Sequence, residues 1–153
     1  MADLISPFQT ADFLLVESRE RGDVLTNLKL QKLLYYAQAW FLTFKDCALF
    51  QEDFRAWAHG PVLPTQYYRF KDYQWRPIDD NLELPNIENA IAEHLVEIVD
   101  VFGVESAVSL ELMTHRERPW LEARGNIPMD AISNARISKE SMMAFYKELA
   151  GEA

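Results

Sequence analysis

The sequence predicts a mainly α fold: a single compact helical domain of about six helices with at most a short strand pair. Three observations carry this. Apolar residues recur at helical spacing over most of the chain. Ser, Thr or Asn stands before several of these stretches, and Gly or Pro at their ends. The 153 residues are 49 % hydrophobic and 12 % aromatic, enough for a core without metal or disulfide staples.

Ser6 caps a first helix with Pro7 at its first position, running to about Arg21; Phe8, Ala11, Leu15 and Ser18, broadened by Leu14, form its inner face. Gly22 and Asp23 stop it. Thr26 or Asn27 caps a second helix to about Lys45. Its stripe of Leu30, Leu33, Leu34, Ala37, Trp40, Phe41 and Phe44 is widened by Tyr35, Tyr36, Ala39 and Leu42. A helix apolar round most of its circumference is the central core helix. Residues 49–57 alternate partly, as a short strand or irregular segment, with Trp57 in the core. Gly60-Pro61 turns the chain, and Pro64 opens a third helix over Thr65–Asp72. Residues 74–85 read as a polar loop with at most a hairpin strand near Pro77–Leu84. Asn86 caps a helix whose inner face is Ile87, Ile91, Leu95, Ile98, Val99 and Phe102, ended by Gly103. Helices follow from Ser106 to about His115, with Val108, Leu110, Leu112 and Met113 as its apolar residues, and from Pro119 to Gly125. Ser138 caps the last, with Met142, Met143, Phe145, Tyr146 and Leu149 at its apolar positions.

With 24 acidic against 15 basic residues the net charge is −9, so nucleic acid is not expected as a partner and a basic protein suits the surface better. No apolar run reaches the roughly 20 residues of a membrane span, and the N-terminus has no basic region of a secretory signal. The single cysteine, Cys47, reads as a small core residue in a reducing, cytoplasmic setting.

No motif asks for catalysis. His59, His94 and His115 are not at metal-ligand spacing, and His94 reads as a half-buried ring with one nitrogen hydrogen-bonded. Cys47 has no sequence-local base. The glycines are isolated, so no phosphate loop is present, and neither a metal nor a cofactor is expected. Two segments are dense enough for an interface. Around Trp57, a turn flanked by tyrosines presents His59, Tyr67, Tyr68 and Arg69; before Trp120, the run from Thr114 presents Arg116 and Arg118. These six are the candidate partner-binding residues. The acidic side of the Ile87–Phe102 helix, with Glu93, Glu97 and Asp100, is a third candidate.

Three blocks resemble one family. Leu28-Lys29-Leu30-Gln31-Lys32-Leu33-Leu34-Tyr35-Tyr36-Ala37-Gln38-Ala39-Trp40 looks like the first signature of the Panacea domain, also termed SocA-like or phage-associated GepA-like. Phe54-Arg55-Ala56-Trp57-Ala58-His59-Gly60-Pro61-Val62, followed by Tyr67 or Tyr68, resembles the second. Leu112-Met113-Thr114-His115-Arg116-Glu117-Arg118-Pro119-Trp120, followed by Ala123-Arg124, resembles the third; Met113 stands where leucine is usual. The resemblance spans roughly Ala11 to Met143. It implies one mainly helical antitoxin domain over residues 1–153, of a bacterial or prophage toxin–antitoxin pair, that neutralises a cognate toxin protein by direct binding. It carries over no catalytic residue, so the chain is not expected to be an enzyme. An adaptor that delivers the toxin to a protease, or a transcriptional regulator, is the alternative role, and a homodimer is left open. A small enzyme with a helical pocket lined by Trp57, His59, Tyr67 and Arg118 is the remaining reading.

Overall fold

In the computed structural model, which describes residues 2–151, the chain runs α1 (Pro7–Glu20), α2 (Asn27–Lys45), β1 (Arg55–Trp57), β2 (Gly60–Val62), α3 (Pro64–Arg69), a 3-10 turn at Lys71–Tyr73, α4 (Asn89–Phe102), α5 (Ala107–His115), α6 (Arg118–Arg124) and α7 (Lys139–Leu149). The fold is mainly α, with seven α-helices among the described residues where the sequence suggested about six.

Capping explains most of the helix starts. The Ser6 hydroxyl accepts from Gln9 N while Gln9 Oε1 accepts from Ser6 N, a full capping box. Thr26, Ser106 and Ser138 accept in the same way from the backbone three residues on. Helix α4 departs from its expected start. It begins at Asn89 after an N-cap, Glu88, whose side chain makes no capping bond. Ile87 before that cap and Ala92 on the next turn are both half-buried against the core, at the spacing of a hydrophobic staple, so burial rather than Asn86 sets this helix's entry.

Helix α2 is the axis, as its pattern demands. It packs against α1, α3, α4, α5, α7 and β2, and Leu30, Leu33, Leu34, Tyr35, Tyr36, Ala37 and Ala39 are buried. The pattern overreached elsewhere. Phe8 and Phe44 are 53 % and 56 % exposed, and Val108, Leu112 and Leu149 are also exposed. Periodicity gives a face but not the neighbour that covers it. Phe8 instead lies under the Arg69 guanidinium, and Phe44 stacks on Trp40, which is only half-buried. Cys47 is free and half-buried.

The strand pair lies at β1 and β2, not near Pro77–Leu84; Pro77 makes only an isolated bridge with Thr26. A hairpin strand containing Gly60-Pro61 looks unfavourable until its register is read. Ala56 faces Pro61, and both backbone groups of Ala56 point away from β2. Its N–H donates to Ala135 O (2.8 Å) and its carbonyl accepts from Arg124 Nη1 (2.9 Å). Pro61 therefore occupies a non-hydrogen-bonded position, where a missing N–H costs nothing. Gly60 is required in turn: at φ +102, a Cβ there would lie 2.6 Å from Lys32 Cε and 2.9 Å from Thr114 Oγ1.

Polar side chains lock the hairpin to the helices. Lys32, fully buried on α2, donates from Nζ to Pro61 O (3.2 Å). Gln31 Oε1 accepts from Leu63 N (2.9 Å), and its amide donates to Asn27 Oδ1, whose own amide donates to Tyr67 O. From the other side Trp120 Nε1 donates to Trp57 O (2.9 Å). Arg124, buried and lying over the Trp120 ring, also donates to Pro128 O, Met129 O and Ala131 O, tying the 126–134 loop to β1. A second hub joins α2, the start of α6 and α7. Glu117 Oε1 accepts from Tyr36 OH (2.7 Å) and Tyr146 OH (2.8 Å). Burial pushes the Glu117 carboxyl up, partly opposed by those two hydrogen bonds.

Three outcomes follow from these locks. Burial pushes the Lys32 ammonium down to about 7 from an ordinary 10.5, with Glu111 opposing the shift. Between those values the unfolded chain holds a proton that the folded chain lacks, so this group makes stability rise with pH from about 7 towards 10.5. Urea denaturation across that range is expected to show the rise in the parent and its loss in Lys32→Met. Glu117→Ala strands the buried Tyr36 phenol and leaves Tyr146 with only the Tyr35 hydroxyl, so it should cost about 2 kcal/mol in the same assay, while Glu117→Gln, which keeps an acceptor, should cost less than about 1 kcal/mol. Arg124→Met should raise amide hydrogen exchange across residues 126–136 while leaving α2 protected.

Candidate partner-binding groove

The hairpin, α3, the 3-10 turn and the 126–134 loop enclose an open cavity of about 780 Å³. Its floor is the first turn of α2, with Asn27, Leu28 and Gln31. Trp57 stands beside Tyr67 and Tyr68. The three rings meet edge to face, with centroids 4.9, 5.5 and 6.1 Å apart. Trp57 is thus half-buried and lines the groove rather than lying in the core. Its Nε1 donates to Asn134 Oδ1 (3.0 Å), which brings the loop up as a facing wall carrying Ile132, 98 % exposed.

The remaining wall is Lys71, Gln74 and Trp75. Gln74 has φ 57 and ψ −117, the geometry of the first central residue of a type II′ turn, and Arg76 N closes that turn on Tyr73 O (2.9 Å). A non-glycine residue there is strained by about 1–3 kcal/mol. The turn leaves Trp75 79 % exposed at the groove edge.

Of the six candidate residues, the structure brings three together: His59, Tyr67 and Tyr68 all line the groove. His59 is exposed, with Nδ1 3.4 Å from the Glu111 carboxylate. Arg69 points to α1, where it pairs with Asp12 (2.7 Å) and lies over the Phe8 and Phe70 rings. Arg118 lies on the α6–α7 side, paired with Glu148 (3.0 Å) and over the Phe145 ring, and Arg116 is exposed near Glu117. A pocket of Trp57, His59, Tyr67 and Arg118, the enzyme alternative of the sequence, does not form, since Arg118 is not in the groove lining. On α4, Asp100 pairs with Arg21, while Glu97 lines a separate hollow of about 210 Å³ with Trp40, Phe44 and His94.

The other histidines are structural. His94 Nε2 lies 2.8 Å from Ala37 O, and burial pushes the ring pKa down. His115 stacks on Trp120 (4.1 Å), and burial likewise lowers its pKa. Among the described residues no three His, Cys, Asp or Glu side chains converge as metal ligands would, and no helix is long and apolar enough to cross a membrane.

Sequence reasoning missed Lys71, Gln74, Trp75, Ile132 and Asn134. Trp75 had one usable signal, a tryptophan inside a polar, proline-flanked stretch with no helical partner to pack against. The loop residues had none, because the contact that brings them to the groove, from the Trp57 indole to Asn134, spans 77 residues.

The three sequence blocks converge on this region: Gln31 and Lys32 from the first, Gly60-Pro61 from the second, Thr114 and Trp120 from the third. Comparison with known proteins agrees with that convergence. Residues 30–121 match the family described as "Antitoxin SocA-like, Panacea domain". Antitoxin SocA of Caulobacter vibrioides (strain NA1000 / CB15N) is 42 % identical over 60 residues, which are 39 % of this chain and 32 % of that protein. The match thus spans about a third of the relative's length. No solved structure matches the chain. The family match covers more than half of the 153 residues and contains the hairpin with the side chains that seat it, so the chain belongs to the antitoxin SocA-like family of Panacea domains.

Proposed function

We propose that this chain is an antitoxin that neutralises a cognate toxin by direct protein–protein binding, with the hairpin groove as the docking surface. One observation carries the choice of surface. The groove presents Tyr68 and Trp75 to solvent on a framework of buried polar locks, and large exposed aromatics on a rigid support are the anchors that protein interfaces favour. His59, Tyr67 and Tyr68 then contact the toxin. Arg116 and Arg118 form a second patch, and Arg69 acts from behind by holding α3 to α1. The antitoxin name of the relative supports the role, and binding rather than turnover is the mode proposed here. Cytoplasmic action fits a lone, free thiol.

The test is co-expression with the product of the neighbouring open reading frame. That product alone should arrest growth; with this chain, growth should return and the two proteins should co-purify. Tyr68→Ala combined with Trp75→Ala should abolish rescue while circular dichroism stays unchanged, and charge reversal at Arg116 and Arg118 should weaken it less. A neighbour that is harmless alone, or still toxic beside this chain, would refute the antitoxin role. Rescue that requires a cellular protease and depletes the toxin would point to the adaptor role instead.

A further inference from the structure

We propose that the groove takes an extended, proline-bearing segment of the toxin in polyproline II form, with a carboxylate of that segment set against Lys71. This rests on the docking role given above and narrows it to one kind of occupant.

Charge is the first argument. The chain carries 24 acidic and 15 basic residues, yet among the described residues no Asp or Glu is in the groove lining, where Lys71 supplies the charge; Glu111 stands behind the lining, 3.4 Å from His59. The acidity of the whole molecule is therefore not what an occupant meets. A basic segment would face Lys71 with no carboxylate in the lining to receive it. An acidic one meets a matching charge.

Backbone accounting is the second. A partner strand would need an open sheet edge, and the hairpin offers none. On β1, Ala56 bonds to Ala135 and Arg124; on β2, Pro61 O is taken by Lys32, and just past it the N–H of Leu63 by Gln31. What remains free is a set of side-chain donors: the Tyr67 and Tyr68 hydroxyls, the Asn134 amide and the Lys71 ammonium make no hydrogen bond through these groups within the described residues. Donors without a strand edge suit a backbone whose carbonyls point outward unpaired, which is the polyproline II conformation.

Shape is the third. The edge-to-face rings of Trp57, Tyr67 and Tyr68 form ridges with furrows between them, and Trp75 extends the aromatic surface. Pyrrolidine rings pack into such furrows, and a segment already stiff loses little conformational freedom on docking. The turn at Gln74 sets Trp75 at the groove edge, 79 % exposed and open to an occupant.

The experiment uses the intact chain and follows tryptophan fluorescence. The probes are short synthetic peptides tiling the toxin, together with a polyproline peptide ended by aspartates and its lysine-ended counterpart. The expected result is saturable binding of the aspartate-ended probe and of proline-containing, acid-flanked toxin tiles. Lys71→Glu should weaken these about tenfold and favour the lysine-ended probe. Trp75→Ala should abolish both. Binding only by tiles without proline, gain of helical circular dichroism on binding, or affinities unmoved by Lys71→Glu would each overturn the inference. If Trp75→Ala loses peptide binding yet still rescues growth, the toxin docks elsewhere; the inference then fails while the antitoxin role stands. If the aspartate-ended probe binds but the neighbour's product is harmless, the groove chemistry holds and the toxin assignment fails.

Discussion

The structure turns on the approach of the hairpin to helix α2, where the Lys32 side chain lies directly beneath Gly60. Position 60 tolerates no side chain because Lys32 and Thr114 already fill the space. The ammonium in turn satisfies the Pro61 carbonyl, which would otherwise be buried without a donor. A buried lysine is a costly way to hold a turn, since burial opposes its charge. It does give a unique seat. A lysine fits one carbonyl at one depth, whereas an apolar contact would let the short hairpin slide. Trp57, His59 and the start of α3 all take their positions from that seat.

Two further side chains extend the frame in opposite directions. Glu117 gathers Tyr36 and Tyr146, so the central helix and the last helix share one buried acceptor. Arg124 reaches the other way, from α6 through Ala56 O to the loop beyond. Both residues, like Lys32, belong to the segments that resemble the family signatures. Their geometry shows why such segments are polar and apolar at once: they are the joints of a small scaffold, not a reactive centre. The acidic surface is separate from this frame, and among the described residues no carboxylate is in the lining of the groove that the frame supports.

How much of this could be read from sequence depended on the range of the interaction. The helices starting at Ser6, Thr26 and Ser138 were legible because a cap and its acceptor lie three residues apart. The all-round apolar pattern of α2 was legible as centrality. The strand pair was misplaced because its stability is long-range: Arg124, Ala135 and Lys32 complete hydrogen bonds that no local pattern announces. Phe8 and Phe44 obeyed helical spacing and still lay open, since spacing cannot say where neighbouring elements end. In the candidate groove, the grouping of His59, Tyr67 and Tyr68 was legible because they cluster around one turn in sequence. Trp75 left only the sign of a tryptophan in a polar stretch, since its place depends on the unusual backbone at Gln74; Asn134 left none, since Trp57 meets it from 77 residues away, just past the residues that Arg124 clasps.

That clasp has one more consequence. Arg124 holds the loop through main-chain oxygens of Pro128, Met129 and Ala131, never through their side chains. Its grip is therefore indifferent to what those positions carry. Substitutions around Ile132 can alter the character of one rim while its course over the hairpin stays the same. A scaffold of this kind uncouples the surface chemistry of the rim from the maintenance of the fold.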